Sequence, residues 1–256
     1  MIVLKTQSEL KTMMKAMRIS AETLNIAEET IREGITTKEL DKAMYDFIIR
    51  SGAKPSFLGL YGFPATACIS VNDVVIHGIP DNTRLKYGDI VSVDVGAYCD
   101  GFHGDNAYTF IVGDTSEENK KLLQETEAAL YKGIEQAVVG NRIGDISHAI
   151  EQHVSQFGYG IVRQFVGHGV GRQMHEDPEV PNFGKAGRGP RLVEGMTLAI
   201  EPMINLKGDA VKIMPDGWTT KTASGSVAAH FEHSIAITSN GPVILTKRKY
   251  RGPGWN

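Results

Sequence analysis

A β-hairpin with two carboxylates on one face is the feature of this sequence that most constrains its fold. Within residues 89–112, valines alternate with polar or small residues, so Asp94 lies on the face opposite the valines. Asp100-Gly101 predicts a two-residue turn, which places Asp105 opposite Gly96 and diagonal to Asp94. Diagonal neighbours lie about 7–8 Å apart, which is close enough for both carboxylates to share one site. The alternative is a solvent-facing hairpin with ordinary surface aspartates, because acids are rarely buried without a partner.

The composition excludes several classes of protein. With 256 residues, of which 41% are hydrophobic and 22% charged, the chain is expected to be globular with an ample core. Its formal net charge of −3 gives no electrostatic case for binding nucleic acid or a membrane surface. Cys68 and Cys99 form no CxxC motif, which excludes a thiolate zinc module and fits a reducing compartment. Since neither a signal-peptide pattern nor an apolar run of about 18 residues occurs, the expected location is the cytoplasm.

The predicted helices recur in two similar halves. Capping boxes and helical hydrophobic periods predict a first helix pair over 6–33 and 36–52, and a second pair is predicted over 116–139 and 146–157. The glycines that end the helices have the same spacing in both pairs. Strand-like segments lie outside the helices and the hairpin, at 67–71, 74–76, 160–166, 196–203, 211–214 and 231–238. The plan predicts a single domain over 1–256, with halves at about 1–113 and 114–248 and a loose tail at 249–256.

The second half supplies more candidate residues for the same site. His168 is flanked by glycines in GHGVG, whereas Glu201 in MTLAIEPM and Glu232 in HFEHSIAIT lie opposite the hydrophobic face of apolar strands. With the hairpin aspartates they make four carboxylates and one imidazole, a set that requires a common counter-charge. This set exceeds what one tetrahedral zinc needs and suits manganese, iron, cobalt or zinc. Bridging carboxylates can hold two ions about 3.5–4 Å apart, and such pairs activate a shared water for hydrolysis.

Two other histidines are candidates for the same centre. His77 follows an apolar strand in VVIHGIP, and His175 lies in QMHEDP beyond His168. A lone histidine is more often a structural residue than a catalytic one, and that alternative stays open for each of them. Beside a pair of metal ions, both become candidates to hold a scissile amide or to donate a proton.

Several of these motifs resemble those of a known family. The strings occur in the family's order between about residues 5 and 248, and they are CISVNDVVIHGIP, GDIVSVDVGAYCDGFHGD, GHGVGRQMHEDP, MTLAIEPM, DGWTT and AHFEHSIAIT. They are similar to those of type I methionine aminopeptidases of the bacterial short form, in the M24 family of metallopeptidases. The resemblance implies an α/β (α+β) pita-bread fold, in which two helix-helix-strand halves related by pseudo-two-fold symmetry surround a curved antiparallel sheet.

The resemblance also implies a role for each candidate residue. Two divalent metal ions (Co, Mn, Fe or Zn) would be held by Asp94, Asp105, His168, Glu201 and Glu232. Asp105 and Glu232 would bridge the ions, Asp94 would hold one, and His168 with Glu201 would hold the other. The bridging water or hydroxide would attack the peptide carbonyl, and Glu201 would handle its proton. His77 would lie near the scissile nitrogen, and His175 would stabilise the carbonyl oxygen as it becomes tetrahedral.

The same resemblance implies an apolar pocket for the methionine side chain. Its walls would be Phe63, Cys68, Met174 and Trp218, with Tyr61 at the edge. A thioether is bound by shape and polarizable contacts rather than by a charge, which this composition provides. At three positions this sequence differs from the residue that is common in the family, and they are Asn106, Met174 and Ser234. These differences affect the shape of the pocket and the surroundings of the ligands, but they remove no ligand.

The expected function is metal-dependent removal of the initiator methionine from nascent proteins and peptides, with a preference for a small second residue. The expected partners are nascent polypeptide N-termini and the ribosome near the exit tunnel, with no nucleic-acid or membrane role and with a monomeric state. One alternative is a Xaa-Pro aminopeptidase or prolidase of the same fold, although those relatives usually have an extra N-terminal domain. Another is a non-catalytic pita-bread binding protein, which the presence of all five ligands disfavours.

Overall fold

Four helices form the outer layers in the computed structural model, which describes residues 1–248. They are α1 (Gln7–Thr30), α2 (Thr37–Arg50), α3 (Glu117–Glu135) and α4 (Ile143–Ser155). Both predicted capping boxes are present: Thr6 Oγ1 accepts a hydrogen bond from the Glu9 amide at 3.2 Å, and Thr36 Oγ1 accepts one from Glu39 at 3.1 Å. The four predicted helices are therefore confirmed, and the tail predicted at 249–256 lies outside the described residues.

The helix ends differ from the predicted ones by a few residues. Helix α1 ends at Thr30 because Ile31 already has an extended backbone, and α3 ends at Glu135. Helix α4 begins three residues earlier than predicted, at Ile143, because the Asp145 carboxylate accepts a hydrogen bond from the Arg142 amide at 2.7 Å. Such ends are decided by caps and tertiary contacts more than by hydrophobic period.

Fifteen strands are present in the described part of the chain. In chain order they are β1 (Lys54–Pro55), β2 (Ala67–Val71), β3 (Val74–Ile76), β4 (Ile90–Cys99), β5 (Phe102–Ile111), β6 (Gly160–Ile161), β7 (Gly167–Gly169), β8 (Glu176–Val180), β9 (Thr197–Ile200), β10 (Met203–Asn205), β11 (Val211–Ile213), β12 (Thr220–Thr222), β13 (Ala228–His230), β14 (His233–Thr238) and β15 (Gly241–Ile244). All their pairings are antiparallel, and hydrogen bonding divides them among four sheets.

The two longest strand predictions of the second half are interrupted at matching places. Strand 196–203 is broken at Pro202, which has no amide hydrogen to donate, and strand 231–238 begins only at His233. Strand β9 pairs with β14 in the five-stranded sheet, whereas β10 pairs with β13 in a three-stranded sheet. Both segments of the chain therefore cross from one sheet to the other at the same level. The crossing places the segments 201–202 and 231–232 side by side.

Two hydrophobic clusters fill the space between helices and sheets. The valine face of β4 is buried under α1 and α2, where it packs with Leu24, Leu40 and Met44. Helices α3 and α4 cover β9 and β14 in the second cluster, which includes Leu198 and Ile235. Burial of each such side chain stabilises the fold by about 1.5–3 kcal/mol. The polar face of β4 is thereby left to point away from the helices.

Helix α1 lies directly against strand β5 at a glycine. A Cβ atom on Gly104 would lie 2.5 Å from the carbonyl oxygen of Ala16, so no larger residue fits without moving the helix. The neighbouring residue in the chain is Asp105, one of the predicted ligands. Close packing at Gly104 therefore holds the ligand-bearing part of β5 in place.

Candidate metal centre

The hairpin has the predicted register and turn. In the β4–β5 pair Gly96 faces Asp105 and Asp94 faces Ala107, so the two aspartates are diagonal neighbours. Both are buried, with 8% and 3% of their surface exposed. The alternative of a solvent-facing hairpin is therefore wrong.

Glu232 reaches the hairpin from the gap between β13 and β14. Its backbone amide donates a hydrogen bond to the Ala107 carbonyl at 2.9 Å, and the Ser234 hydroxyl donates one to the Asp105 carbonyl at 2.7 Å. Carboxylate oxygens of Asp94, Asp105 and Glu232 all lie within 4.8 Å of one another. Two segments more than a hundred residues apart are thus locked together where their carboxylates meet.

His168 and Glu201 complete the group from β7 and from the end of β9. His168 Nε2 lies 3.5 Å from Asp105 Oδ2 and 3.6 Å from Glu201 Oε1. Its other ring nitrogen, Nδ1, lies 2.8 Å from the Gly169 carbonyl, so Nδ1 carries the proton and donates it there. The lone pair of Nε2 therefore points toward the carboxylates, which is the arrangement of a histidine ligand with a backbone partner behind it.

Burial without a cation raises the pKa of every carboxyl group in this cluster. Removal from water raises the pKa of Asp94 to about 7 and that of Glu201 to about 8. The pKa values of Asp105 and Glu232 are raised well above their usual range by burial first and then by the neighbouring carboxylates. Burial lowers the pKa of His168 to about 3, so its imidazole is neutral and able to bind a metal.

The donor set fits divalent cations. Among the described residues, three buried carboxylate oxygens have no hydrogen-bond partner, and they are Asp94 Oδ1, Asp105 Oδ1 and Glu232 Oε1. Unpaired buried acceptors of this kind are unfavourable unless a cation or a donor faces them. Oxygen-rich ligands with one imidazole suit manganese, iron, cobalt or zinc. The five residues predicted from the sequence are therefore the ones the fold brings together.

The two further candidate histidines lie at the edge of this cluster. His77 has a φ of +60°, an unusual value for a residue other than glycine, and its ring packs edge-on against Phe165 with centroids 5.3 Å apart. Burial lowers its pKa to about 4. The His175 ring lies 4.4 Å from the His168 ring and is stacked by Tyr61 at 5.9 Å. Both imidazoles therefore face the space in front of the carboxylates.

An apolar cavity of about 200 Å³ opens beside the carboxylate cluster. Four of the five predicted pocket residues line it, and they are Tyr61, Phe63, Cys68 and Trp218. Met174 is 3% exposed and belongs to the same hydrophobic cluster as Phe63 and Cys68, without lining the cavity itself. The cavity has room for one medium-sized apolar side chain next to the candidate metal centre.

Some residues of the site were not predicted from the sequence. The cavity wall also contains residues from loops, a short 3-10 helix and a strand, none with a local sign of function, and they are Phe57, Leu60, Ile76, Phe165 and Val166. His230 is 1% exposed, and its Nε2 lies 3.5 Å from Glu201 Oε2. Its position two residues before Glu232, on the same face of the predicted strand, was the available signal.

Comparisons with known proteins agree with this geometry. Residues 11–239 match metallopeptidase family M24. A methionine aminopeptidase from Clostridium perfringens is 56% identical over 246 residues, which cover 96% of this chain and 99% of the relative.

Solved structures give the same assignment. The crystal structure of methionine aminopeptidase from Thermotoga maritima has a TM-score of 0.95 and 45% identity, with 97% of this chain and 100% of that chain covered. Prolidase from Pyrococcus furiosus is less similar, with a TM-score of 0.80 and 25% identity. The match covers 97% of this chain and 66% of the prolidase chain. The predicted pita-bread fold is confirmed by these neighbours. The chain therefore belongs to metallopeptidase family M24, among its methionine aminopeptidases.

Proposed function

We propose that this chain removes the N-terminal methionine from nascent proteins and peptides by metal-dependent hydrolysis, with a preference for a small second residue. The observation that carries the proposal is the convergence of five ligand-type side chains in a buried cluster next to an apolar cavity. The relatives that match 96% of this chain are methionine aminopeptidases, which supports the same activity.

Two divalent ions are the proposed cofactors. Asp105 and Glu232 would contact both ions, Asp94 one of them, and His168 with Glu201 the other. This division is supported by the His168 imidazole, whose Nε2 faces Asp105 and Glu201 on one side of the cluster. When bound, the ions supply a Lewis acid for the scissile carbonyl and lower the pKa of the attacking water.

The remaining residues act on the substrate. Glu201 would accept the proton of the attacking water, because its carboxylate belongs to the proposed metal centre and also lines the cavity. His77 would contact the scissile nitrogen, and His175 would stabilise the negative charge on the carbonyl oxygen. The methionine side chain would fill the cavity lined by Phe63, Cys68 and Trp218, which offers apolar and aromatic contacts to a thioether.

Three further points concern the setting of the reaction. In the described part of the chain, no helix has the length and hydropathy needed to cross a membrane. Cys68 and Cys99 are buried free thiols, which supports the expectation of a cytoplasmic location. A monomeric enzyme that meets nascent chains at the ribosome exit tunnel remains our expectation. We expect no nucleic-acid partner, because the net charge is −3.

Prolidase activity is the second candidate function, because a prolidase shares the fold. The decisive experiment is hydrolysis of Met-Ala-Ser and of Ala-Pro-Ala by the purified protein with added manganese or cobalt, beside a chelator control. Release of methionine that the chelator abolishes, without cleavage before proline, is the expected result. Cleavage of Ala-Pro-Ala would move the chain to the prolidase activity, and cleavage of neither peptide would favour a binding protein.

A further inference from the structure

His230 is a deeply buried imidazole that faces the candidate metal centre from strand β13. It is 1% exposed, and its Nε2 has no hydrogen-bond partner among the described residues. The proposed function assigns no role to this histidine. A buried polar atom without a partner is unfavourable, which indicates an interaction that forms only when the site is loaded.

Glu201 lies between two imidazoles. Its Oε1 faces His168 Nε2 at 3.6 Å, and its Oε2 faces His230 Nε2 at 3.5 Å. Since His168 carries its proton on Nδ1, its Nε2 offers a lone pair to an ion. A proton on Nε2 of His230 would instead point at the second oxygen of the same carboxylate.

The backbone around His230 is held firmly enough to fix this geometry. The His230 amide donates to Thr109 Oγ1 at 3.0 Å, and the Thr109 hydroxyl donates to the His230 carbonyl at 2.7 Å. Met203, just beyond Glu201, pairs with His230 across β10 and β13. The Glu201 carbonyl accepts a hydrogen bond from Asn182 Nδ2 at 3.0 Å. These contacts fix the backbones from which the two side chains extend, so the His230 ring and the Glu201 carboxylate stay within reach of each other.

We propose that His230 is a positioning residue that donates a hydrogen bond from Nε2 to Glu201 Oε2 and so fixes which oxygen of Glu201 faces the ion shared with His168. The proposal rests on the proposed metal centre. A histidine behind a carboxylate ligand would raise metal affinity by reducing the freedom of that carboxylate.

Metal affinity of two His230 variants tests the proposal. His230→Leu removes the donor, whereas His230→Gln keeps an amide N–H that can donate to Glu201. Dissociation constants for Mn²⁺ are measured by calorimetric titration of the metal-depleted full-length protein. We expect His230→Leu to bind the ion shared with His168 about 10–100-fold more weakly and His230→Gln to stay within about threefold of the unmodified protein.

A matched control and a spectroscopic readout keep the result interpretable. His153→Leu removes a histidine that lies 2.9 Å from Glu125, between α3 and α4, and it should leave metal affinity unchanged. In the zinc-loaded protein with ¹⁵N-labelled histidine, the His230 ring should show a proton on Nε2. This measurement needs no substitution, so it also decides the question if His230→Leu does not fold.

Three outcomes would overturn the proposal. Unchanged affinity in His230→Leu would show that the contact does not position the ligand. Equal weakening in His230→Gln and His230→Leu, or an Nε2 without a proton in the labelled protein, would contradict the donor role of His230. An unmodified protein that binds no divalent ion would instead refute the metal centre itself and this inference with it.

Discussion

Removal of the metal ions should make the stability of the protein depend strongly on pH between 7.5 and 8.5. In the metal-free protein, burial raises the pKa of Glu201 to about 8, and those of Asp105 and Glu232 are raised well above their usual range. In the unfolded chain these carboxyl groups are ionised throughout this window. The folded state therefore binds more protons than the unfolded state, and its stability falls as pH rises.

The size of this fall follows from the pKa shifts. A carboxyl group that stays protonated in the folded state lowers the free energy of unfolding by about 1.4 kcal/mol per pH unit. Glu201 contributes about half of that, because its pKa lies in the middle of the window. Histidines whose pKa is lowered by burial, such as His77 and His168, are neutral in both states above pH 7.5 and contribute little. Glu201 alone therefore lowers the free energy of unfolding by about 1 kcal/mol across the window, which corresponds to a fall in Tm of about 2–4 °C. The raised pKa values of Asp105 and Glu232 act in the same direction and add to this fall.

Urea unfolding and thermal melting of the chelator-treated protein at pH 7.5, 8.0 and 8.5 measure this effect. The manganese-loaded protein should show a much flatter dependence, since the cations favour the ionised carboxylates in the folded state. In the metal-free variant Glu201→Gln, the pH dependence of stability should decrease only by the part that Glu201 contributes. A metal-free protein whose stability is constant or rises from pH 7.5 to 8.5 would refute the reasoning.

Three further results are expected. Asp105→Asn should weaken binding of both ions about tenfold or more, whereas His77→Ala should lower kcat with metal content kept. Equal metal loss in both variants, measured by elemental analysis, would contradict these roles. The kcat/KM should be higher for Met-Ala peptides than for Met-Leu or Met-Arg peptides, because bulk next to the ions is excluded sterically, and equal values would contradict that reason. Lys5→Met should lower the free energy of unfolding by about 3–5 kcal/mol, because the buried Glu176 carboxylate would lose its ion-pair partner. A loss below about 1 kcal/mol in urea unfolding would count against this account.

Local patterns predicted the elements that hold the candidate site. The capping boxes at Thr6 and Thr36 and the turn at Asp100-Gly101 depend on residues that are close in sequence, so their structure is confirmed with the predicted contacts. The diagonal arrangement of Asp94 and Asp105 follows from strand period and turn length alone. The roles of these carboxylates as metal ligands stay predictions.

Other features depended on contacts between distant segments. The sequence predicted strand-like segments over 196–203 and 231–238, with Pro202 ending the pairing of the first. It did not predict that both segments change sheets at this level and meet there. The cavity wall at Phe165 likewise has no short-range signal, and the position of His230 against Glu201 depends on the pairing of strands that are distant in sequence.

By itself, the sequence determined the helices and the hairpin, because capping, periodicity and turn chemistry act over a few residues, and it supplied the set of candidate metal ligands. Only the tertiary structure decided how segments that are distant in sequence meet. The hydrogen bond from Ser234 to the Asp105 carbonyl and that from Asn182 to the Glu201 carbonyl join segments through packing of the whole fold. The distances of 3.5 Å and 3.6 Å from His168 to Asp105 and Glu201 are set by that packing, and no pattern within a single strand specifies them.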